Sequence, residues 1–265
     1  MTFKQKLDKS VLKNNSLLCV GLDPVMEKLP DKFKKQTFPF FEFNKFIIDQ
    51  TFDLACAFKP NSAFYEALGA GGIEQLKMTC DYINKNYPEI PIILDAKRGD
   101  IESTNDGYVK YTFDYLRCDG VTVQPYLGEK AINPFLEKKD KGIIILCKTS
   151  NPGSGEFQNL EINGEKLYQH VAKQVIGKWN YNNNCLMVIG ATYPKELKEI
   201  REIAKDMVFL VPGIGAQGGN LKDTLENGLD DNKKGLIINA SRSIIYAENP
   251  REIAKNLKEE INQYR

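Results

Sequence analysis

The sequence predicts a single-domain (β/α)8 barrel, an α/β fold of the TIM-barrel type, and three observations carry that expectation. Eight short, continuously apolar runs alternate with helical stretches along all 265 residues. Runs of that kind mark parallel strands covered on both faces. No linker, low-complexity tract or block of like charge interrupts the alternation, so residues 1–265 read as one domain. Unusual polar residues then collect at the C-terminal ends of the runs, where barrels of this class place their function.

The strand candidates are SLLCVGLD (16–23), ACAFKPN (55–61), PIILDAK (91–97) and GVTVQPY (120–126), followed by GIIILCKTS (142–150), CLMVIGAT (185–192), MVFLVPGI (207–214) and GLIINASR (235–242). Between them stand helix signals. Ser103 with Asp106 resembles a capping box that opens a Tyr- and Phe-rich amphipathic run. Asn220 with Asp223 opens another helix, which Gly228 closes, and Asn249-Pro250 reads as an N-cap followed by proline at the first helical position. A long amphipathic helix is expected over about 161–178, followed by an Asn-rich turn at 180–184. The pattern by itself leaves a doubly wound open sheet as the alternative.

Composition narrows the function classes. With 36 Lys and Arg against 35 Asp and Glu the formal net charge is +1, so nothing steers the whole molecule to nucleic acid or to a membrane surface. No apolar run reaches the roughly 20 residues of a membrane span, and MTFKQKLDKSVLKNNSLLCV lacks a signal peptide's apolar core. A cytoplasmic protein is expected. Cys19, Cys56, Cys80, Cys118, Cys147 and Cys185 form no CxxC pair and read as reduced, buried thiols. With one histidine, His170, on a helix, no metal site is expected. Trp179 reads as packing, and the serine of KTSN has no triad partners.

The polar strand ends are Asp23, Lys59, Asp95 with Lys97, Thr149 with Ser150, Gln217, and Ser241 with Arg242. Asp95 and Lys97 are two apart, so strand alternation puts both on one face. In a barrel mouth, Asp95 and Asp100 would keep the Lys97 ammonium protonated, a poor base but a well-held proton donor. Facing outward, the pair would be only a solvated surface bridge. The phosphate-binding signal is clearer. VPGIGAQGG places four glycines within seven residues ahead of a helix, so backbone N–H groups can approach an anion closely. NASRS precedes the last helix, and Arg242 can grip phosphate with two hydrogen bonds.

LDAKRGDI (94–101) resembles the Asp-x-Lys-x-x-Asp signature of the orotidine 5′-monophosphate (OMP) decarboxylase family. GLDP (21–24), FKPNSAFYE (58–66), VTVQPYLG (121–128), KTSNPGS (148–154), GATYP (190–194), VPGIGAQGG (211–219) and NASRSI (239–244) resemble the remaining blocks of its second subgroup, in order, across nearly the whole chain. Gln124 stands where that pattern has Asn, and Glu102 where it has Gly.

The resemblance implies a cofactor-free enzyme turning OMP into UMP and CO2 at the end of de novo UMP biosynthesis, with no metal. Lys59, Asp95, Lys97 and Asp100 would form its catalytic array. Lys97 would protonate C6, Asp95 would lie beside the departing carboxylate, and Lys59 with Asp23 and Asn61 would contact the ribose. Thr149 and Ser150 would bind the pyrimidine. Pro212, Gln217, Ser241 and Arg242 would hold the phosphate end, and 213–219 would act as a lid. The family's homodimeric habit implies that Asp100 and Thr104 reach into a neighbour's site, with Ile101 lining a small apolar pocket for the carboxylate. Two rivals stand beside this reading: Mg2+-dependent sugar-phosphate decarboxylases or aldolases of the same barrel, which carry an acidic metal ligand where this chain has Lys59, and a non-catalytic phosphate-binding barrel.

Overall fold

The computed structural model describes residues 1–214 and 218–265. Its eight barrel strands are β1 (Leu18–Leu22), β2 (Ala57–Pro60), β3 (Ile93–Arg98), β4 (Gly120–Val123), β5 (Gly142–Lys148), β6 (Cys185–Ile189), β7 (Phe209–Val211) and β8 (Leu236–Ala240). Each expected run contains one of them, apart from β3, which extends one residue further, to Arg98. All pairs are parallel, and the hydrogen-bonded order is β2-β1-β8-β7-β6-β5-β4-β3. Parallel bridges Phe58–Ile92 and Asn61–Asp95 join β2 to β3, so the sheet closes on itself. Closure excludes the doubly wound alternative, which has two free edges.

The runs are apolar because both strand faces are covered. Every residue of β1, β2, β4, β6 and β7 is buried, and the core joins barrel interior and helical shell in one cluster. The N-terminal segment folds as helix α1 (Phe3–Asn14), opened by a Thr2–Gln5 capping box, and Phe3 packs against Gly120 and Gly142 at the start of β4 and β5. All six cysteines are buried and free. Burial pushes the Cys19 thiol up to about 12, as expected of a packing residue.

Local expectations fare unevenly. Asn220 caps the helix Leu221–Gly228 by accepting from the Asp223 N–H (3.1 Å), and Asn249 caps Pro250–Asn262. The helix does close at Gly228, which is its last residue and not a left-handed cap beyond it. A Cβ there would lie 2.9 Å from Leu197 Cδ2, so the glycine serves helix packing. The Ser103–Asp106 capping box is absent. The helix Glu102–Val109 begins earlier, after Ile101, with no side-chain cap. Asn105 does the local bonding instead, accepting from the Asp100 N–H (3.0 Å) and donating to the Asp100 carbonyl (2.6 Å).

The helix expected over 161–178 is also corrected. Glu161–Ile162 pairs antiparallel with Glu165–Lys166, and a helix runs only over Leu167–Gln174, continuing as wider turns over Val175–Trp179. Asn163-Gly164, both at positive φ (54° and 79°), makes the hairpin turn. Asn-Gly is the strongest short-range hairpin signal, and here it overrides helical periodicity. His170 is exposed on that helix, 3.9 Å from Glu165, and is not among the residues that line the cavity at the strands' C-terminal ends. Trp179 is buried.

Candidate active site

Parallel strands closed into a barrel bring all their C-terminal ends to one mouth. There a cavity of about 540 Å3 is lined by Asp23, Lys59, Asn61, Asp95, Lys97, Thr149, Ser150, Pro212, Ser241 and Arg242, all singled out from sequence. A larger cavity, about 690 Å3, opens at the opposite end around α1, and none of those residues reaches it.

The centre of the mouth is one carboxylate held from four sides. Lys59 Nζ (2.9 Å) and Asn61 Nδ2 (3.3 Å) donate to Asp95 Oδ2, while Lys97 Nζ (2.7 Å) and Thr122 Oγ1 (2.9 Å) donate to Oδ1. Asp23 joins through the Asn61 N–H, which its Oδ1 accepts at 3.1 Å. Burial alone would raise the Asp95 pKa, but Lys59 and Lys97 outweigh it and hold the carboxyl well below the usual range. Burial would likewise favour neutral Lys59, yet Asp95 and Asp23 drive its pKa above the ordinary lysine value. Both groups therefore stay ionised across the physiological range. Lys59 is sealed in (3% exposed) whereas the Lys97 side chain is half exposed at the cavity. A fixed inner ion pair thus presents an outer ammonium to whatever fills the mouth.

Asp95 and Lys97 do meet, but not through the simple alternation expected of a strand. The register of β3 on β4 slips between Leu94 and Arg98, and Lys97 has φ 46°. Beyond the slip, Gly99 passes so close to Gln124 that any Cβ would lie 2.8 Å from it, at φ 149°. Gln124, the departure from the family pattern, donates to the Gly99 carbonyl (2.6 Å) and accepts from the Tyr126 N–H (2.7 Å), bracing that turn.

Within one chain the rest of the signature turns away. Asp100 accepts from the Ile101 N–H (2.7 Å), lies outside the cavity and leaves Asp95 as the sole carboxylate paired with Lys97 among the described residues. Ile101 is 61% exposed and Thr104 is exposed too.

Where phosphate is expected, Pro212, Gly213, Ile214, Ser241 and the exposed Arg242 share the rim of the cavity. The neck of the glycine loop is closed by the Gly219 N–H on the Gly213 carbonyl (3.1 Å). A Cβ at Gly219 would lie 2.6 Å from Ala191 Cβ and 2.7 Å from the Gly213 carbonyl. Gln217 lies outside the described residues, as does the centre of the expected lid, of which only 213–214 and 218–219 are described.

Five polar lining residues escaped the sequence reading: Thr122, Asn151, Gln158, Asn239 and Ser243. Four lie inside motifs already quoted, where bulkier charges drew attention first. Gln158 lies beyond them, yet it grips Thr149 twice, through the Thr149 N–H and hydroxyl (both 2.9 Å). Lys148 is fully buried behind this loop. Its ammonium donates to Ser154 Oγ (3.2 Å) and Asn159 Oδ1 (3.0 Å) and sits 4.2 Å above the Tyr193 ring. Burial lowers its pKa from the ordinary lysine value.

Residues 16–257 match the family model described as Orotidine 5′-phosphate decarboxylase / HUMPS family. An orotidine 5′-phosphate decarboxylase from Janthinobacterium sp. is 45% identical over 100% of this chain and 99% of its own. One from Cellvibrio japonicus is 46% identical over 99% and 98%. Among solved structures, Leishmania donovani OMP decarboxylase superposes with a TM-score of 0.91 at 40% identity, covering 100% of this chain and 99% of that one. Leishmania donovani UMP synthase gives 0.93 at 42% identity, and the match spans 56% of that longer chain.

Proposed function

The chain belongs to the orotidine 5′-phosphate decarboxylase / HUMPS family, and from that premise we propose that Lys97 is the acid that protonates C6 of OMP in this cavity. The reaction is the decarboxylation of OMP to UMP and CO2, the last step of UMP biosynthesis. The observation that carries the assignment is the Lys59–Asp95–Lys97 array, with its outer ammonium facing the mouth.

The bond from C6 to the carboxylate carbon breaks, and its electron pair stays on C6. That carbanion gains little from ring delocalisation, so preorganised positive charge at C6 is what the transition state needs. Lys97 supplies the charge and then the proton, and CO2 leaves beside Asp95. The half-exposed amine regains its proton from water once product departs. Lys59, ionised and immobile, holds Asp95 and meets the ribose hydroxyls together with Asp23 and Asn61. Thr149 and Ser150 face the pyrimidine, and Pro212, Gln217, Ser241 and Arg242 receive the phosphate.

An ammonium acid needs no Lewis acid, and a cation held at Lys59 would repel Mg2+ where the rival barrel enzymes bind it. Loss of the ultraviolet absorbance of OMP should therefore proceed at an unchanged rate in excess EDTA. Strict dependence on added Mg2+ would move the chain to the rival chemistry, and no turnover under either condition would favour a non-catalytic phosphate binder.

We further propose a cytoplasmic homodimer in which Asp100, Thr104 and Ile101 of each chain complete the neighbour's site. Their outward placement beside β3 supports this. Asp100→Ala and Lys97→Ala chains should then complement each other when allowed to exchange. A mixed dimer contains one intact site and one doubly defective one. Random reassortment makes about half the dimers mixed, so recovery should approach about a quarter of wild-type activity. If Asp100 acts within its own chain, every site keeps a lesion and mixing restores nothing.

A further inference from the structure

The residue that shapes the proton donor is on the neighbouring strand. In the register of β3 on β4, Leu94 faces Val121 and Arg98 faces Val123, so Asp95, Ala96 and Lys97 all stand opposite Thr122 alone. Two surplus residues must buckle, and a buckled strand leaves ladder N–H groups without acceptors. Thr122, 1% exposed, answers that need with one oxygen: Oγ1 accepts the N–H of Ala96 (3.0 Å) and the N–H of Lys97 (2.9 Å). The same hydroxyl gives its own proton to Asp95 Oδ1 (2.9 Å), the oxygen that also receives Lys97 Nζ (2.7 Å).

We propose that Thr122 is a positioning residue for the decarboxylation, a single hydroxyl that locks both the backbone of Lys97 and the carboxylate at which its ammonium is aimed. Lys97 sits at φ 46°, in the left-handed region that a lysine adopts only when its surroundings impose it. Thr122 makes the contacts that impose it, two N–H groups gathered on one acceptor at the point of the slip. Without them β3 can relax toward regular alternation, and Nζ then leaves its place over the cavity. Serine keeps this arrangement; valine matches the shape of threonine but can neither accept nor donate.

The inference rests on Lys97 being the C6 acid, so Lys97→Ala is measured beside the Thr122 variants. Thr122→Val should lower kcat at least about tenfold, the scale of misplacing a reacting group, with the KM for OMP within about threefold of wild type. Ribose and phosphate contacts come from other strands, which is why KM is spared. Thr122→Ser should restore kcat to within about threefold. Should the valine protein not fold, Thr122→Cys, of similar size and a weak hydrogen-bonding partner, should show the same kcat loss at spared KM. Wild-type kcat in Thr122→Val, or in Thr122→Cys where valine does not fold, overturns the positioning role while an inactive Lys97→Ala leaves the acid standing. So does a serine variant as impaired as the valine one. An active Lys97→Ala instead overturns the assignment of the acid itself.

Discussion

Lys97→Ala should abolish turnover, by at least about a thousandfold, while UMP binds within about tenfold of wild type. Loss of a general acid alone removes roughly 10²–10⁴-fold, and here the same side chain also supplies the positive charge at C6. The fold should tolerate the change. The Lys97 side chain is half exposed, so truncation opens no core cavity, and Asp95 keeps Lys59, Asn61 and Thr122 as partners. That asymmetry separates Lys97 from Lys59, whose removal strands Asp95 in a buried site and costs stability as well. Single-turnover absorbance and UMP titration measure the two quantities independently. A variant that retained more than a few per cent of wild-type activity would show that Lys97 is not the C6 acid.

Arg242→Ala should weaken OMP by ~2–4 kcal/mol, about 30- to 1000-fold in kcat/KM, since a charge-assisted two-point contact is lost. Arg242 is exposed on the rim and opens the short helix Arg242–Ile245, so the effect should confine itself to the phosphate. The decisive comparison uses orotidine, the same nucleoside without phosphate. Wild type and variant should turn it over equally slowly. A variant equally impaired toward orotidine would mean that Arg242 acts on the pyrimidine or ribose instead of the phosphate.

The charged site was readable because its members are unusual for their places. Lys59, Asp95 and Lys97 interrupt or end apolar strands, and ionisable groups there must find partners or a cavity. Thr122 has no such signature. A threonine within a strand reads as ordinary β-former, and only the slipped register reveals that it faces three residues. Lys148 escaped for a related reason. Its lysine ends an apolar run as Lys59 does, and only packing shows that it turns under the loop toward Tyr193 and away from the mouth. The hairpin at 161–166 is legible in Asn163-Gly164, although the helical periodicity of the flanking residues masks that two-residue turn.

By itself the sequence determined an α/β fold of eight parallel strands, because apolar runs separated by helices can bury both faces of every strand in few ways, and it determined which end carries the polar groups; closure into a barrel came with the bridges between β2 and β3. Tertiary structure decided how those groups meet. It placed Asp95 between two ammonium groups, bent Lys97 into a left-handed conformation by a slip that alternation does not encode, and turned Asp100, Ile101 and Thr104 outward. The division follows from the range of the forces. Burial periodicity is written in near neighbours along the chain. The orientation of a side chain in a mouth depends on hydrogen bonds from adjacent strands that are remote in sequence.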